Sequence, residues 1–307
     1  MYFIGVTTGR SSIMNVFPRW AEHLGLGGPD RVRIQGIDCK WHDDPAVYRR
    51  VVEFIRDDPL SRGALVTTHK IDLLNACQDL FDQLDPHATL MGEISSISKR
   101  GEELIGHAKD MVTSGLAADA FVPRRYFVDC ESDVLVFGAG GSSIAYTSHL
   151  LDPARRADAP ERIIVTNRSP ARLEAIQRVH EQIAHEVPVE YVLTPETADN
   201  DAQLARLKPG SLVANATGLG KDAPGSPISD AALFPERGFA WDFNYRGDLR
   251  FLEQARSQAS SRGVRVEDGW TYFLHGWTRV IAEVFDLDIP TSGPGFDALA
   301  EIAASTR

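Results

Sequence analysis

The chain has 307 residues, of which 43% are hydrophobic and 24% charged, a composition typical of a folded globular protein with about two domains. Its 43 acidic residues outnumber its 32 basic ones, and the formal net charge of −11 argues against binding of nucleic acid through a basic surface. No stretch reaches the roughly 20 apolar residues of a membrane-spanning helix, and the amino terminus lacks a signal-peptide pattern.

The three cysteines, Cys39, Cys77 and Cys130, lie far apart and show no CxxC spacing. We therefore expect reduced thiols and a cytoplasmic protein. The nine histidines are scattered, and no Cys/His group has the spacing of zinc ligands, so we expect no metal.

The first 84 residues alternate short apolar runs with stretches of helical periodicity. The runs predict strands at residues 2–6, 31–37 and 64–67, and the periodic stretches predict helices at 15–26, 46–56 and 71–84. This alternation predicts a parallel sheet covered by helices.

A second series of apolar runs begins at residue 133. A β-rich run at 133–137 enters a glycine-rich turn, and a helical stretch at 144–151 and another strand at 162–165 follow. Further strands are predicted at 189–193, 211–214 and 239–243, and the tail from about residue 292 predicts a loosely held terminal helix.

The glycine-rich turn has the strand–turn–helix context of a dinucleotide-binding site. Gly138 suits the tight turn, Gly140 the close approach to a diphosphate, and Ser143 stands at the third position of the fingerprint, where the strict form has glycine. The alternative is a glycine turn without a ligand. The predicted phosphate-binding residues are Gly138, Ala139, Gly140, Gly141, Ser142 and Ser143.

The residues after the next strand indicate which dinucleotide binds. An NAD site usually has a carboxylate there for the ribose 2′-hydroxyl, whereas this turn contains Asn167, Arg168, Ser169 and Arg172. Arginine is the preferred partner of a phosphate, so the turn predicts NADP(H). The alternative is that both arginines are ordinary surface charges.

Five short motifs occur in the order found in the shikimate/quinate dehydrogenase family, which the chain resembles over nearly its whole length. The motifs are GALVTTHK at 63–70, GHAKD at 106–110, NATGLG at 215–220, DFNY at 242–245 and DG at 268–269.

The resemblance implies an α/β protein of two domains. The N-terminal α/β substrate domain would comprise residues 1–111, with C-terminal helices at 271–307 returning to it, and a Rossmann-type NADP-binding domain would comprise residues 112–270. The resemblance also assigns Asn215, Thr217 and Gly269 to the cofactor.

The same resemblance places Lys70 and Asp110 at the family's catalytic lysine and aspartate. Hydride transfer to a carbonyl leaves an oxyanion, which a lysine ammonium can stabilise and protonate while a carboxylate orients it. The alternative is a surface lysine and an unrelated aspartate. The predicted substrate-binding residues are Thr8, Arg10, Thr67, Ser95, Tyr245 and His275.

The departures from the family pattern are concentrated among the substrate contacts. Arg10 replaces a serine, Ser95 an asparagine, and Gly276 a glutamine. Because loss of several hydrogen-bonding groups changes which ligand fits, we expect an NADP-dependent oxidation of a polyhydroxylated or anionic alcohol other than shikimate.

Three alternatives stay open. They are a true shikimate or quinate dehydrogenase with an unusual pocket, a non-catalytic NADP(H)-binding sensor, and a dehydrogenase of the methylene-folate type that shares the fold. We expect a small-molecule substrate, and neither nucleic acid nor a membrane as partner. The sequence does not fix the oligomeric state and allows a homodimer.

Overall fold

The computed structural model describes residues 1–221 and 223–306, which divide into two compact units. Unit 1 contains Met1–Lys109 and the residues from Leu274 onward, and unit 2 contains Asp110–Phe273. The domain boundaries expected from the resemblance fall after residues 111 and 270. The long helix Trp270–Phe285 begins in unit 2 and continues into unit 1.

Unit 1 is built on a six-stranded sheet with the order β2-β1-β3-β5-β6-β4. Its strands are β1 (Tyr2–Gly5), β2 (Gln35–Asp38), β3 (Gly63–Val66), β4 (Gln83–Leu84), β5 (Ser96–Arg100) and β6 (Glu103–His107). Strand β1 pairs with β2 and β3 in parallel, as the alternating pattern predicted.

The expectation of a wholly parallel sheet in this half is wrong. Strand β5 runs antiparallel to both β3 and β6, because a tight connection through Gly101 (φ +62°) joins β5 directly to β6. A two-residue connection allows only antiparallel pairing. The sequence analysis did not predict these two strands, which are short and contain few apolar side chains.

Six helices of unit 1 alternate with or follow these strands along the chain. They are α1 (Ile13–His23), α2 (Pro45–Asp57), α3 (Lys70–Cys77), α4 (Pro86–Met91), and, after unit 2, the end of α12 (Trp270–Phe285) and α13 (Pro294–Ala304). The predicted helix at 71–84 is too long, since α3 ends at Cys77, and residues 83–84 form β4.

The terminal helix is well packed rather than loosely held. Leu299 and Ala303 of α13 are buried, and the indole of Trp20 in α1 donates a hydrogen bond of 2.8 Å to the Leu299 carbonyl. Trp20 is itself fully buried, so this bond satisfies a polar group that would otherwise be costly to bury.

Unit 2 is a doubly wound sheet of six parallel strands with the order β12-β11-β10-β7-β8-β9. Its strands are β7 (Val134–Phe137), β8 (Ile163–Asn167), β9 (Val189–Leu193), β10 (Leu212–Asn215), β11 (Phe239–Asp242) and β12 (Arg265–Glu267). Counted from β7, this is the 3-2-1-4-5-6 order of a Rossmann sheet, so the predicted α/β class with a dinucleotide-type domain is confirmed.

The central strands of unit 2 are buried on both faces, as parallel sheets require. Every residue of β7, β10 and β11 is buried. The covering helices are α5 (Asp110–Asp119), α6 (Tyr126–Cys130), α7 (Gly141–Leu151), α8 (Pro170–His180), α9 (Thr197–Leu204), α10 (Arg250–Ser257) and α11 (Ala259–Arg262). Within the described ranges, none of the helices has the length and hydropathy of a bilayer-spanning segment.

Gly63 provides a test of the unit 1 sheet. Its φ is +127°, and a Cβ at this position would lie 2.0 Å from the Ile97 carbonyl oxygen of β5. We expect Gly63→Ala to lower the free energy of unfolding by about 3 kcal/mol, through backbone strain and displacement of β5.

The measurement is urea unfolding, with Gly276→Ala as the matched control. Gly276 lies inside α12 with open space around its Cβ position, so alanine there should raise stability by about 0.5–1 kcal/mol. Equal stability of Gly63→Ala and wild type would contradict the described register of β3 and β5.

Candidate functional site

The glycine-rich turn of unit 2 lies between the end of β7 and the start of α7. Gly138 has φ +102°, and a Cβ there would lie 2.7 Å from the Ala216 carbonyl oxygen in the loop after β10. Glycine is therefore required at 138 for both the turn and the close contact between two loops. The neighbouring Ala139 is buried beneath the turn.

The start of α7 has the features of a phosphate cradle. Gly140 is the N-cap of this helix, and no atom lies within 4 Å of its Cβ position. Gly141 and Ser142 are partly exposed, and the hydroxyl of the fully buried Ser143 has no hydrogen-bond partner in the described structure. Backbone N–H groups and the helix dipole favour an anion here, so these residues fit the diphosphate of a dinucleotide.

The turn after β8 presents two cations at the same edge of the sheet. The side chain of Asn167 accepts a hydrogen bond of 2.9 Å from the Ser169 N–H, which fixes the turn at the start of α8. Arg168 and Arg172 are exposed, and among the described residues neither has an ion-pair partner. The turn contains no carboxylate, an arrangement that suits a 2′-phosphate.

The loop after β10 is held by hydrogen bonds through Asn215. Its amide donates to Asp242 at the end of β11 (2.9 Å), while its carbonyl oxygen accepts from the Thr217 hydroxyl (2.7 Å). Burial raises the pKa of Asp242 to about 6, outweighing the hydrogen bonds from Asn244 and Asn215 that favour the ionised form. Asn215 thus shapes the loop and has no free amide proton pointing to a ligand, whereas Thr217 is exposed.

Tyr245 belongs to an aromatic group that follows β11 in unit 2. Its ring lies 4.8 Å from Phe273 and 5.3 Å from Trp270, measured between ring centres. Gly269 packs closely against the chain that follows β11, since a Cβ at this position would lie 2.1 Å from the Phe243 carbonyl oxygen. The predicted roles of Tyr245 and Gly269 stay predictions, but both occur at the carboxyl end of the parallel sheet.

A second polar group lies at the carboxyl ends of β1, β2 and β3 in unit 1. The Thr8 hydroxyl donates to the Asp38 carboxylate at 2.6 Å, and the Thr8 N–H donates to the same oxygen at 2.9 Å. The methyl groups of Thr8 and Thr67 both lie 3.1 Å from the Cβ position of Gly5, so the fold brings these two predicted substrate residues together. Arg10 is exposed at the end of the same short turn.

Lys70 begins α3 directly after a strained turn. Thr68 has φ +69°, and the His69 N–H bonds to the Thr67 carbonyl at 2.7 Å, which makes a three-residue γ-turn. His69 is buried, and its Nδ1 lies 3.0 Å from the Tyr48 hydroxyl. Such strain is often found at functional sites, and here it places Lys70 at the carboxyl end of β3.

Ser95 and the residues next to Asp110 are held by a charge network that the sequence analysis did not find. Ser95 Oγ accepts from the Lys109 N–H at 2.8 Å, and the Lys109 ammonium lies 2.6 Å from Glu283 in α12 and 3.7 Å from Asp85. Burial alone would raise the pKa of Glu283, but the hydrogen bond from Lys109 holds it below its ordinary value. Lys109 is therefore neutralised within unit 1.

His107 joins this network between Ser98 and Asp85. Its Nε2 lies 2.8 Å from Ser98 Oγ and its Nδ1 lies 3.6 Å from Asp85. The three residue types match those of a hydrolytic triad, but Ser98 is 0% exposed on β5 and no substrate can reach it. The network is structural. The pairing of Lys109 with Glu283, which lies far away along the chain, could not be predicted from local sequence.

Asp110 and His275 are both buried. Asp110 is the first residue of α5 and belongs to unit 2, whereas Lys70 belongs to unit 1. The His275 ring stacks on Phe296 with 4.4 Å between ring centres, and burial together with Arg279 lowers its pKa to about 4. In the described structure His275 is a packing residue of unit 1, and its contact with substrate stays a prediction.

No group of three or more His, Cys, Asp or Glu side chains with metal-binding geometry occurs among the residues that the structure describes. The two sites thus consist of a phosphate cradle with two arginines in unit 2, and a Thr8–Thr67–Lys70 edge in unit 1. Each lies at the carboxyl end of its sheet, where α/β proteins bind ligands.

Comparison with curated proteins identifies several relatives named shikimate dehydrogenase (NADP(+)). A shikimate dehydrogenase (NADP(+)) of Lactococcus lactis subsp. cremoris (strain MG1363) is 24% identical over 235 residues, which covers 76% of each chain. Another of Symbiobacterium thermophilum is 29% identical over 236 residues, covering 75% of this chain and 72% of the relative. No protein-family model matches the chain.

Solved structures with the same fold cover nearly the whole chain. Shikimate 5-dehydrogenase of Thermus thermophilus, in complex with NADP(H) and shikimate, has a TM-score of 0.71 at 22% identity, covering 100% of this chain and 98% of that structure. Quinate dehydrogenase of Corynebacterium glutamicum, in complex with NAD, has a TM-score of 0.74 at 17% identity, covering 99% and 98%. These likenesses confirm the two-domain fold.

The low pKa of His275 predicts a pH-dependent contribution to stability. Because its pKa is about 4 in the folded chain and 6.5 as a free side chain, the neutral ring stabilises the fold fully above pH 6.5. This contribution is lost as the pH falls from 6.5 to 4, by up to about 3 kcal/mol.

We expect His275→Phe, which keeps a ring on Phe296, to lose less unfolding free energy than wild type over that range. Urea unfolding at several pH values measures the difference, with the same substitution at the exposed His23 as control. Parallel pH profiles of wild type and His275→Phe would contradict a buried neutral ring.

Proposed function

We propose that this shikimate dehydrogenase-like protein is an NADP-dependent oxidoreductase that transfers hydride between NADP(H) and the CH–OH group of a small polyhydroxylated or anionic substrate other than shikimate. The observation that carries the proposal is the phosphate cradle at Gly140–Ser143 beside Arg168 and Arg172, which have no ion-pair partner among the described residues. Relatives named shikimate dehydrogenase (NADP(+)) support the oxidoreductase class and this cofactor.

The residues of unit 2 would hold the cofactor at two of its phosphate groups. The start of α7 would bind the diphosphate through its N–H groups and the hydroxyls of Ser142 and Ser143. Arg168 and Arg172 would pair with the 2′-phosphate, and Ser169 and Asn167 would set their turn. When bound, the nicotinamide supplies the hydride donor or acceptor.

Lys70 is the proposed proton donor and acceptor in unit 1. In the direction of reduction, its ammonium would stabilise the oxyanion and give it a proton, and in oxidation the neutral amine would accept the alcohol proton. The strained turn before Lys70 fixes where its helix begins. Asp110 is proposed to orient the lysine and share the proton, as the resemblance implies.

The substrate is the finer part of the proposal. Three positions at which the family binds shikimate carry other residues here, namely Arg10, Ser95 and Gly276. Ser95 is also engaged with the Lys109 N–H. Shikimate or quinate itself is the second candidate, favoured by Thr8, Lys70, Asp110 and Tyr245 at matching positions.

The proposed setting of the protein is the cytoplasm, which suits the free thiols of Cys39, Cys77 and Cys130. A homodimer stays an expectation.

Replacing Lys70 tests the proposed chemistry. We expect Lys70→Ala to lower kcat by about 10²–10⁴-fold, because general acid–base catalysis contributes that much. The dissociation constant for NADPH should stay within about twofold, since the predicted cofactor residues lie in unit 2. Steady-state kinetics and fluorescence titration measure the two quantities.

Lys208→Ala is the control, because the described contact of the Lys208 ammonium is a surface ion pair with Glu161 in unit 2. It should leave kcat unchanged. An unchanged kcat for Lys70→Ala would remove Lys70 from the mechanism.

Replacing Arg168 tests the cofactor assignment. We expect Arg168→Ala to raise KM for NADP⁺ by about 10–100-fold, the loss of one or two charge-assisted hydrogen bonds to phosphate. KM for NAD⁺, which has no 2′-phosphate, should change little. Arg178→Ala in α8 is the control, since the described hydrogen bond of the Arg178 side chain goes to the Glu174 carbonyl of the same helix. Equal effects of Arg168→Ala on both cofactors would contradict a 2′-phosphate contact.

A further inference from the structure

The donors at the end of β1 are already occupied by a carboxylate of the protein. Both the hydroxyl and the N–H of Thr8 point to one oxygen of Asp38, at 2.6 and 2.9 Å. Asp38 is the last residue of β2 and stands opposite Gly5 in the parallel register. A fixed carboxylate therefore lies at the carboxyl edge of this sheet, across β1 from the strand that Thr67 and Lys70 follow.

The backbone around Thr8 enforces this arrangement. A Cβ at Gly36 in β2 would lie 2.0 Å from Thr8 Oγ1, so only glycine lets the hydroxyl reach the Asp38 side of the strand. On the opposite side, the Thr8 methyl lies 3.1 Å from the Cβ position of Gly5. The absence of side chains at Gly36 and Gly5 leaves room for the Thr8 conformation in which the hydroxyl donates to Asp38.

Asp38 stays ionised and accessible in this position. The two hydrogen bonds from Thr8 lower the pKa of Asp38, and the residue is exposed. An exposed carboxylate with free lone pairs accepts hydrogen bonds from hydroxyl groups and repels another carboxylate.

We infer that Asp38 is a specificity-determining residue, which selects an uncharged polyol and rejects a substrate with a carboxylate at the Thr8 end of the site. The inference rests on the proposed function and narrows its substrate from polyhydroxylated or anionic to polyhydroxylated and uncharged at this end. A hydroxyl group of the substrate would donate a hydrogen bond to Asp38 while another carbinol faces Lys70.

Arg10 is the feature that works against this inference. It lies two residues after Thr8, exposed, and its guanidinium could attract an anion. Among the described residues Arg10 has no ion-pair partner, while Asp38 is fixed by two hydrogen bonds. A fixed charge discriminates between ligands more strongly than a long exposed side chain, because ordering the side chain costs entropy.

The test compares two compounds that differ only in this charge, shikimate and its methyl ester, with NADP⁺ as oxidant at pH 7.5. For wild type we expect kcat/KM to be at least tenfold higher for the ester. The difference should shrink in 0.5 M salt, because screening weakens repulsion at an exposed carboxylate. A higher kcat/KM for shikimate in wild type would overturn the inference without any variant.

Asp38→Asn identifies the residue responsible. It should raise kcat/KM for shikimate by tenfold or more and change the value for the ester by less than threefold. The matched control is Asp58→Asn, since Asp58 also accepts a hydroxyl hydrogen bond, from Tyr2 at the opposite end of β1. That variant should leave the ratio of the two compounds as in wild type.

The outcomes separate this inference from the proposed function. Turnover of both compounds with an unchanged ratio in Asp38→Asn would overturn the role of Asp38 and leave the oxidoreductase standing. Failure of the folded protein to bind NADPH, together with absence of NADP-linked turnover of these compounds and of myo-inositol, would contradict the proposed function itself.

Discussion

Parallel pairing of neighbouring strands is the constraint on which both units depend. When strands run in parallel, the chain leaves each of them at the same edge, so the loops that follow lie side by side. In unit 1 the register pairs Gly5 with Asp38, and in unit 2 it pairs Asn215 with Asp242. Each pair ends its two strands and begins the polar edge that we propose binds a ligand.

Close contact between these loops requires residues without side chains. Gly138 lets the turn after β7 approach the loop after β10, and Gly36 lets Thr8 reach across β2. In both places a methyl group would overlap atoms of the neighbouring loop. The two glycines therefore contribute to the site by leaving space for the neighbouring loops.

Ion-pair partners in the fold decide which basic side chains are available to a ligand. Arg168 and Arg172, which pair with no carboxylate in the described part of the chain, are available to an anionic ligand, whereas Lys109 is neutralised by Glu283 and Asp85. Lys109 belongs to the GHAKD motif at 106–110 that contains Asp110, yet its charge is compensated by these two carboxylates. The number of basic residues in a motif is thus larger than the number whose charge is available to a ligand, because some of them pair with carboxylates elsewhere in the fold.

The features that the sequence could predict are those encoded locally. The turn at Gly138–Ser143 is read from a strand, a glycine run and a helix that follow one another, and the structure contains all three. The β5–β6 hairpin was missed because its strands are short and their only large apolar side chains are Ile97, Leu104 and Ile105. The bonds Thr8–Asp38 and Lys109–Glu283 join residues distant in sequence, and only the tertiary fold determines such partners. The early end of α3 was also missed, because apolar spacing continues past Cys77.

The central claim is that the chain moves hydride between a polyol and NADP(H), and isotope transfer tests it most directly. The polyol would carry deuterium at its carbinol carbons, and the recovered nicotinamide would be analysed by mass spectrometry after incubation with NADP⁺. We predict that deuterium appears at the reduced nicotinamide and that Lys70→Ala abolishes the transfer. Tight binding of NADP⁺ by folded protein, with no deuterium transferred from labelled cyclitols, shikimate or quinate, would contradict the account and indicate a binding protein instead.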